Sequence, residues 1–131
     1  MGTGSTELGV GKKTYFGFED LDAWQESHLL AVEVYRATKS FPKDEIFGIT
    51  SQIRRAASSV SANIAEGFGR ATIPDRLQFL SVARGSLLET KNFIYLAEKL
   101  EYLDHNKADE LVQKTITCEK LIYGFRKSLK S

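Results

Sequence analysis

Hydrophobic residues recur every three to four positions in four successive stretches of the chain, and the second stretch carries two stripes at once. Ile49, Ile53, Ala56, Val60 and Ile64 make one apolar face. Gln52, Arg55, Ser59, Asn63 and Glu66 repeat at the same spacing about 100° away. Small residues surround both stripes: Ala56, Ala57, Ser58, Ser59, Ser61, Ala62 and Ala65. They admit a neighbouring helix at short range, and polar groups beneath a close helix must find hydrogen-bond partners. Gln52, Arg55, Asn63 and Glu66 therefore read as one half of a buried structural network. Ser86 and Glu89 on the next helical stretch are its other half.

The spacing predicts helices over 20–39, 44–66, 74–100 and 106–129. On the first, Leu21, Trp24, His28, Val32 and Tyr35 line a face, with Leu30 and Val34 beside it. Asp20 or Asp22 suits its N-terminus, and Pro42 closes the stretch beyond its C-terminus. Gly67 and Gly69 are expected to end the second helix in left-handed conformations. Pro74 and Asp75 suit the first turn of the third. The fourth carries one clean stripe: Ala108, Leu111, Thr115, Cys118, Ile122, Phe125 and Leu129. Short connections between four amphipathic helices predict an all-α, up-down-up-down bundle over 18–131. Residues 1–17, rich in glycine, read as a flexible tail.

The third helix is unusual. Leu80, Ala83, Leu87, Ile94 and Ala97 form one stripe, and Phe79, Val82, Phe93, Leu96 and Leu100 a second, with Ser86 and Glu89 inside it. Leu77, Leu88 and Tyr95 lie on a third line. An arc that wide exceeds what one bundle core absorbs, so a second surface must cover the surplus. Identical copies of the chain would do so in a homo-oligomer.

Composition narrows the function. A chain of 131 residues holds one domain with a real core. Its 18 basic and 17 acidic side chains leave a net charge of +1, without the basic excess common in nucleic-acid domains. The single cysteine, Cys118, cannot form an internal disulfide, which fits a reducing, cytoplasmic setting. No apolar run reaches the length of a membrane span.

Chemistry is sparse. A di-iron bundle needs Glu-x-x-His pairs, but Gln25 precedes His28 by three residues and Tyr102 precedes His105 by three. Two histidines and one cysteine far apart in sequence do not make a zinc site. No cofactor motif is present: the stretch GFGR at 67–70 follows no strand and lacks the Gly-Lys-Ser/Thr of a phosphate loop. His28 reads as a core or interface residue, and Cys118 as a buried thiol. No catalytic set emerges. Glu66 and Glu89 are the one carboxylate pair worth weighing for acid–base work, and the structural network outweighs that reading. Five of the seven arginines lie between 54 and 84. Arg54, Arg70, Arg76 and Arg84 would grip phosphates if they converged on one face, and would be solvating charges if they did not. Arg126, Lys127 and Lys130 form a second basic cluster.

The segments FEDLDAWQ at 18–25, SFPKDEIFGITSQIRRAASSVSANIAEGFGR at 40–70 and FLSVARGSLLET at 79–90 resemble one family. It comprises the four-helix-bundle proteins encoded in intervening sequences of bacterial large-subunit (23S) ribosomal RNA genes, often filed under a ribosomal-protein name. The likeness spans nearly all of 18–131, and the family pattern falls on Gln52, Arg55, Asn63, Glu66, Gly67, Ser86 and Glu89. It implies a left-handed up-down bundle assembled as a homopentameric ring, with no established enzymatic activity. A more distant likeness is to the accessory protein of diversity-generating retroelements, a basic pentamer thought to bind nucleic acid and a reverse transcriptase. This chain is near neutral where that protein is basic. The expectation is a non-enzymatic oligomeric scaffold that binds RNA or a ribonucleoprotein. The alternative is a protein–protein adaptor with no nucleic acid and no membrane involved.

Overall fold

A computed structural model describes residues 8–10 and 13–130. Four helices dominate it: α1 (Asp22–Ala37), α2 (Ile49–Phe68), α3 (Ile73–Lys99) and α4 (His105–Lys130). Each packs against its neighbours in sequence, and α4 returns to α1, closing a four-membered bundle. Cross-helix contacts give the directions. Arg54 near the start of α2 reaches Thr38 just past α1, and Gly67 at the end of α2 faces Phe79 near the start of α3. Arg84 of α3 reaches Glu119 of α4, and Lys107 at the start of α4 reaches Glu33 near the end of α1. Every adjacent pair is therefore antiparallel, as short connections demand.

The predicted stripes of α2, α3 and α4 are its buried faces. Ile53, Val60, Ile64, Leu80, Leu87, Ile94, Leu111 and Ile122 are almost wholly shielded from water. The whole α4 stripe from Ala108 to Leu129 is buried with them.

Helix α1 differs from expectation. Its core face is Ala23, Ser27, Leu30, Ala31 and Val34, while His28 and Tyr35 are exposed. His28 stacks on Trp24 with ring centroids 4.6 Å apart, outside the core. The large aromatic residues suggested the wrong side, because a helix approached closely by two neighbours buries its small residues.

The helix ends also depart from the reading above. Gly67 lies inside α2 and is buried. A Cβ there would sit 3.0 Å from the Phe79 Cβ and 3.3 Å from the Arg76 carbonyl oxygen, so glycine sets the approach of α2 to α3. Gly69 caps α2 in right-handed geometry. The left-handed position is instead Glu101, at φ 63°, where the α3–α4 turn folds back and the Tyr102 and Leu103 amides both donate to the Ala97 carbonyl. Helix α2 starts at Ile49 rather than 44, because 43–45 form a separate 3-10 turn and Gly48 leaves helical geometry. Thr72 caps α3 by accepting from the Asp75 amide, and Asp104 accepts from the Lys107 amide at the start of α4. Asp20 accepts from the Phe16 and Gly17 amides, so it caps the turn before α1 rather than α1 itself.

The stretch taken as a tail lies partly outside the described residues. Its described part is a two-stranded antiparallel ribbon, β1 (Leu8–Val10) and β2 (Lys13–Tyr15), with Leu8 opposite Tyr15. An isolated two-stranded ribbon is marginal in water. Here Tyr15 gains an edge-to-face contact with Phe125 of α4, at 6.4 Å between centroids.

Candidate functional site

The polar stripe of α2 meets α3 in two separate clusters. In the first, the Arg55 guanidinium donates to the Glu89 carboxylate at 2.5 Å and to the Gln52 side-chain oxygen at 3.2 Å. In the second, Asn63 donates to the carbonyl and hydroxyl oxygens of Ser59, and the Ser86 hydroxyl donates to that of Ser59 at 3.0 Å. Glu66 belongs to neither and pairs with Arg70 one turn on, at 2.9 Å. Ser86 is buried and Ser59 and Asn63 are half-buried, whereas the Arg55 and Glu89 side chains are 54 % and 38 % exposed in the single chain. Glu66 and Arg55 stand eleven residues apart on α2, ~16 Å along the axis. Glu66 and Glu89 therefore do not share a pocket for acid–base work.

Beside the Arg55–Glu89 pair runs the second α3 stripe. Val82, Leu96 and Leu100 are each over 40 % exposed, and Phe79 and Phe93 are half-buried. Glu89 lies within this stripe and contacts α2, so the stripe follows the α2 side of α3. The third line, Leu88 and Tyr95, is exposed on the α4 side, the side from which Arg84 reaches Glu119. The surplus apolar arc inferred from the sequence is thus left on the outside of one chain.

The four arginines singled out for phosphate binding do not converge. Arg54 donates to the Thr38 hydroxyl and covers the Tyr35 ring at 4.9 Å, on the α1 side of α2. Arg70 covers the Phe79 ring at 4.5 Å, at the α2–α3 end. Arg76 has its Nε buried there without a hydrogen-bond partner. Arg84 lies across the bundle on the α3–α4 side, 3.1 Å from Glu119. Each of Arg54, Arg70 and Arg84 answers a local partner, which is what distributes them.

Sequence reading passed over two exposed aromatic features. Phe47, in the turn before α2, is 93 % exposed beside the half-exposed Ile46. Tyr123 stands on the outer face of α4, 66 % exposed, at the mouth of a groove of about 560 Å³ between α3 and α4 that Arg84, Ile116, Ile122 and Arg126 help line. Its spacing from Lys120 and Lys127, three and four residues, was the available signal.

The Glu98 carboxylate, 2.9 Å from the His105 ring, holds its pKa above the ordinary value. The Glu45 carboxylate raises that of Tyr102 through a 2.7 Å hydrogen bond. Burial pushes the Cys118 thiol up to about 11, leaving it an unreactive core residue. Among the described residues, no group of three or more His, Cys, Asp or Glu side chains is placed to hold a metal ion. No described helix is long and apolar enough to cross a membrane.

This architecture has relatives. Residues 19–124 match the profile of the family described as 23S rRNA-intervening sequence protein. The chain belongs to that family. Among solved structures it is similar to a protein of unknown function from the S23 ribosomal protein family of Bacteroides thetaiotaomicron VPI-5482. The TM-score is 0.72 at 22% identity, over 80% of this chain and 98% of that one. At that identity the likeness speaks for the fold alone. No curated protein matches the chain. The family's description names no activity, and the structural relative is described as a protein of unknown function.

Proposed function

We propose that this chain is a non-enzymatic subunit of a homo-oligomeric scaffold, a left-handed bundle assembled as a pentameric ring. The observation that carries the reading is the apolar stripe along α3, in which Val82, Leu96 and Leu100 are exposed and Phe93 is half-buried, beside the half-exposed Arg55–Glu89 pair. Contiguous exposed apolar surface flanked by polar groups marks an association face in soluble proteins. Covering it with a copy of the same chain removes leucine, valine and phenylalanine surface from water at about 25 cal/mol per Å². It also desolvates an ion pair that is already matched in charge, so no lone charge is buried. The family resemblance supports five subunits.

Light scattering of the purified full chain at micromolar concentration tests this. The expected mass is a multiple of 14.7 kDa, five-fold for the ring. Val82→Glu combined with Leu96→Glu places charges on that face without touching the core, so helicity should persist while the assembly dissociates. A wild-type monomer would overturn the reading, and so would an assembly indifferent to the two charges.

A further inference from the structure

The last eleven residues of α4, 120–130, hold four cations and no carboxylate, just past Glu119, which pairs with Arg84; the rest of the chain carries 14 basic and 17 acidic side chains. Lys120, Tyr123, Lys127 and Lys130 recur at spacings of three, four and three, which sets them on one outer face of the helix. Arg126 flanks that face. Among the described residues none of the four cations has an ion-pair partner, whereas Arg55, Arg70 and Arg84 each have one. Tyr123 stands between two hollows. One is the α3–α4 groove, and the other is a smaller recess of about 280 Å³ lined by Tyr123, Arg126, Lys127 and Lys130.

From this face we infer a binding surface for single-stranded RNA, with a base stacked on Tyr123 and phosphates held by Lys120, Arg126, Lys127 and Lys130. Unpaired cations in a row attract a polyanion through counterion release. An exposed ring among them offers the stacking platform that unpaired bases use. Complementing the helix dipole accounts for cations in the final turn only, since that effect fades within one turn. It does not account for Lys120, ten residues before the helix end, or for an exposed aromatic residue beside it. An acidic protein partner would answer the lysines and leave the ring and its flanking hollows without a role. The surface is separate from the α2-side stripe of α3, so this inference does not depend on ring assembly.

Fluorescence anisotropy with the full chain and a labelled oligouridylate of about 12 nucleotides provides the test. Binding should weaken with salt at a log–log slope of about −2 to −3, the value for four cations on a single strand. Lys127→Gln and Lys130→Gln should each reduce that slope by about 0.7. Tyr123→Ala should weaken binding roughly tenfold, and Tyr123→Phe should restore it, because a base stacks on either ring. Circular dichroism checks that the variants fold, and Lys120→Glu supplies a second, solvent-facing disruption expected to abolish retention. The inference fails if the oligonucleotide does not bind at low salt. It also fails if Tyr123→Ala and Lys120→Glu both bind like wild type, or if duplex RNA or polyglutamate binds as tightly as the single strand.

Discussion

The Arg55 guanidinium and the Glu89 carboxylate meet at 2.5 Å across the α2–α3 interface while both remain open to solvent. An exposed ion pair contributes little to folding, because water competes for both charges and two long side chains must be ordered. In the single chain, Glu89→Leu is therefore expected to cost less than about 1 kcal/mol. The sequence alone, by treating the network as buried, implied several times that. In the proposed assembly the pair would be covered, and Glu89→Leu would strand a buried arginine at a cost of about 3–5 kcal/mol. Urea denaturation of wild type and Glu89→Leu across protein concentrations checks this: the stability difference should widen as subunits associate.

Two glycines on facing helices should respond in opposite senses to the same substitution. A methyl group at Gly67 meets the Phe79 Cβ at 3.0 Å and the Arg76 carbonyl at 3.3 Å, atoms of a neighbouring helix that must be pushed back. Gly67→Ala is expected to destabilise by about 1–3 kcal/mol. A methyl group at Gly85 meets nothing within 4 Å in the single chain. Gly85→Ala should stabilise an assembly-deficient background such as Val82→Glu with Leu96→Glu by about 0.5–1 kcal/mol, through helix propensity alone. Thermal melts of the two variants should move in opposite directions.

A pH effect is expected at the α3–α4 turn. The Glu98 carboxylate raises the His105 pKa above its unfolded value of about 6.5, which means the fold favours the charged ring. The stabilisation is complete below about pH 6.5 and is lost as pH rises through the higher folded value. The ring is largely exposed, so the effect is small and local. Nuclear magnetic resonance titration of His105 should give a midpoint above the ordinary histidine value, and Glu98→Gln should lower it.

Cys118 is buried on the core stripe of α4, with its thiol pushed up to about 11. Thiolate is the reactive species, so little is available near neutral pH and none of it faces solvent. A disulfide-exchange reagent such as Ellman's should react with the native protein at about pH 8 only as fast as the bundle opens. In denaturant the same thiol should react at once. Rapid reaction of the native chain would show that α4 is not seated as described.

The amino-acid order by itself determined the number of helices, their approximate spans, and the buried faces of α2, α3 and α4. Those faces are continuous at helical spacing and are the most apolar lines on their helices, so water alone selects them. It also marked an excess of apolar surface on α3, because the arc was too wide for one core. Only the tertiary structure decided where the competing lines went. On α1 two arcs competed, and the close approach of α2 and α4 buried Ala23, Ser27 and Ala31 while leaving His28 and Tyr35 outside. Gly67 looked like a helix terminator until packing placed it against Phe79. Spacing left open whether Arg54, Arg70, Arg76 and Arg84 share a face, and packing separated them by drawing Arg54, Arg70 and Arg84 each to a nearby acceptor or ring. Spacing along a chain fixes which residues of one helix point the same way. Which helix they then point toward depends on groups far away in sequence, and that is set by packing.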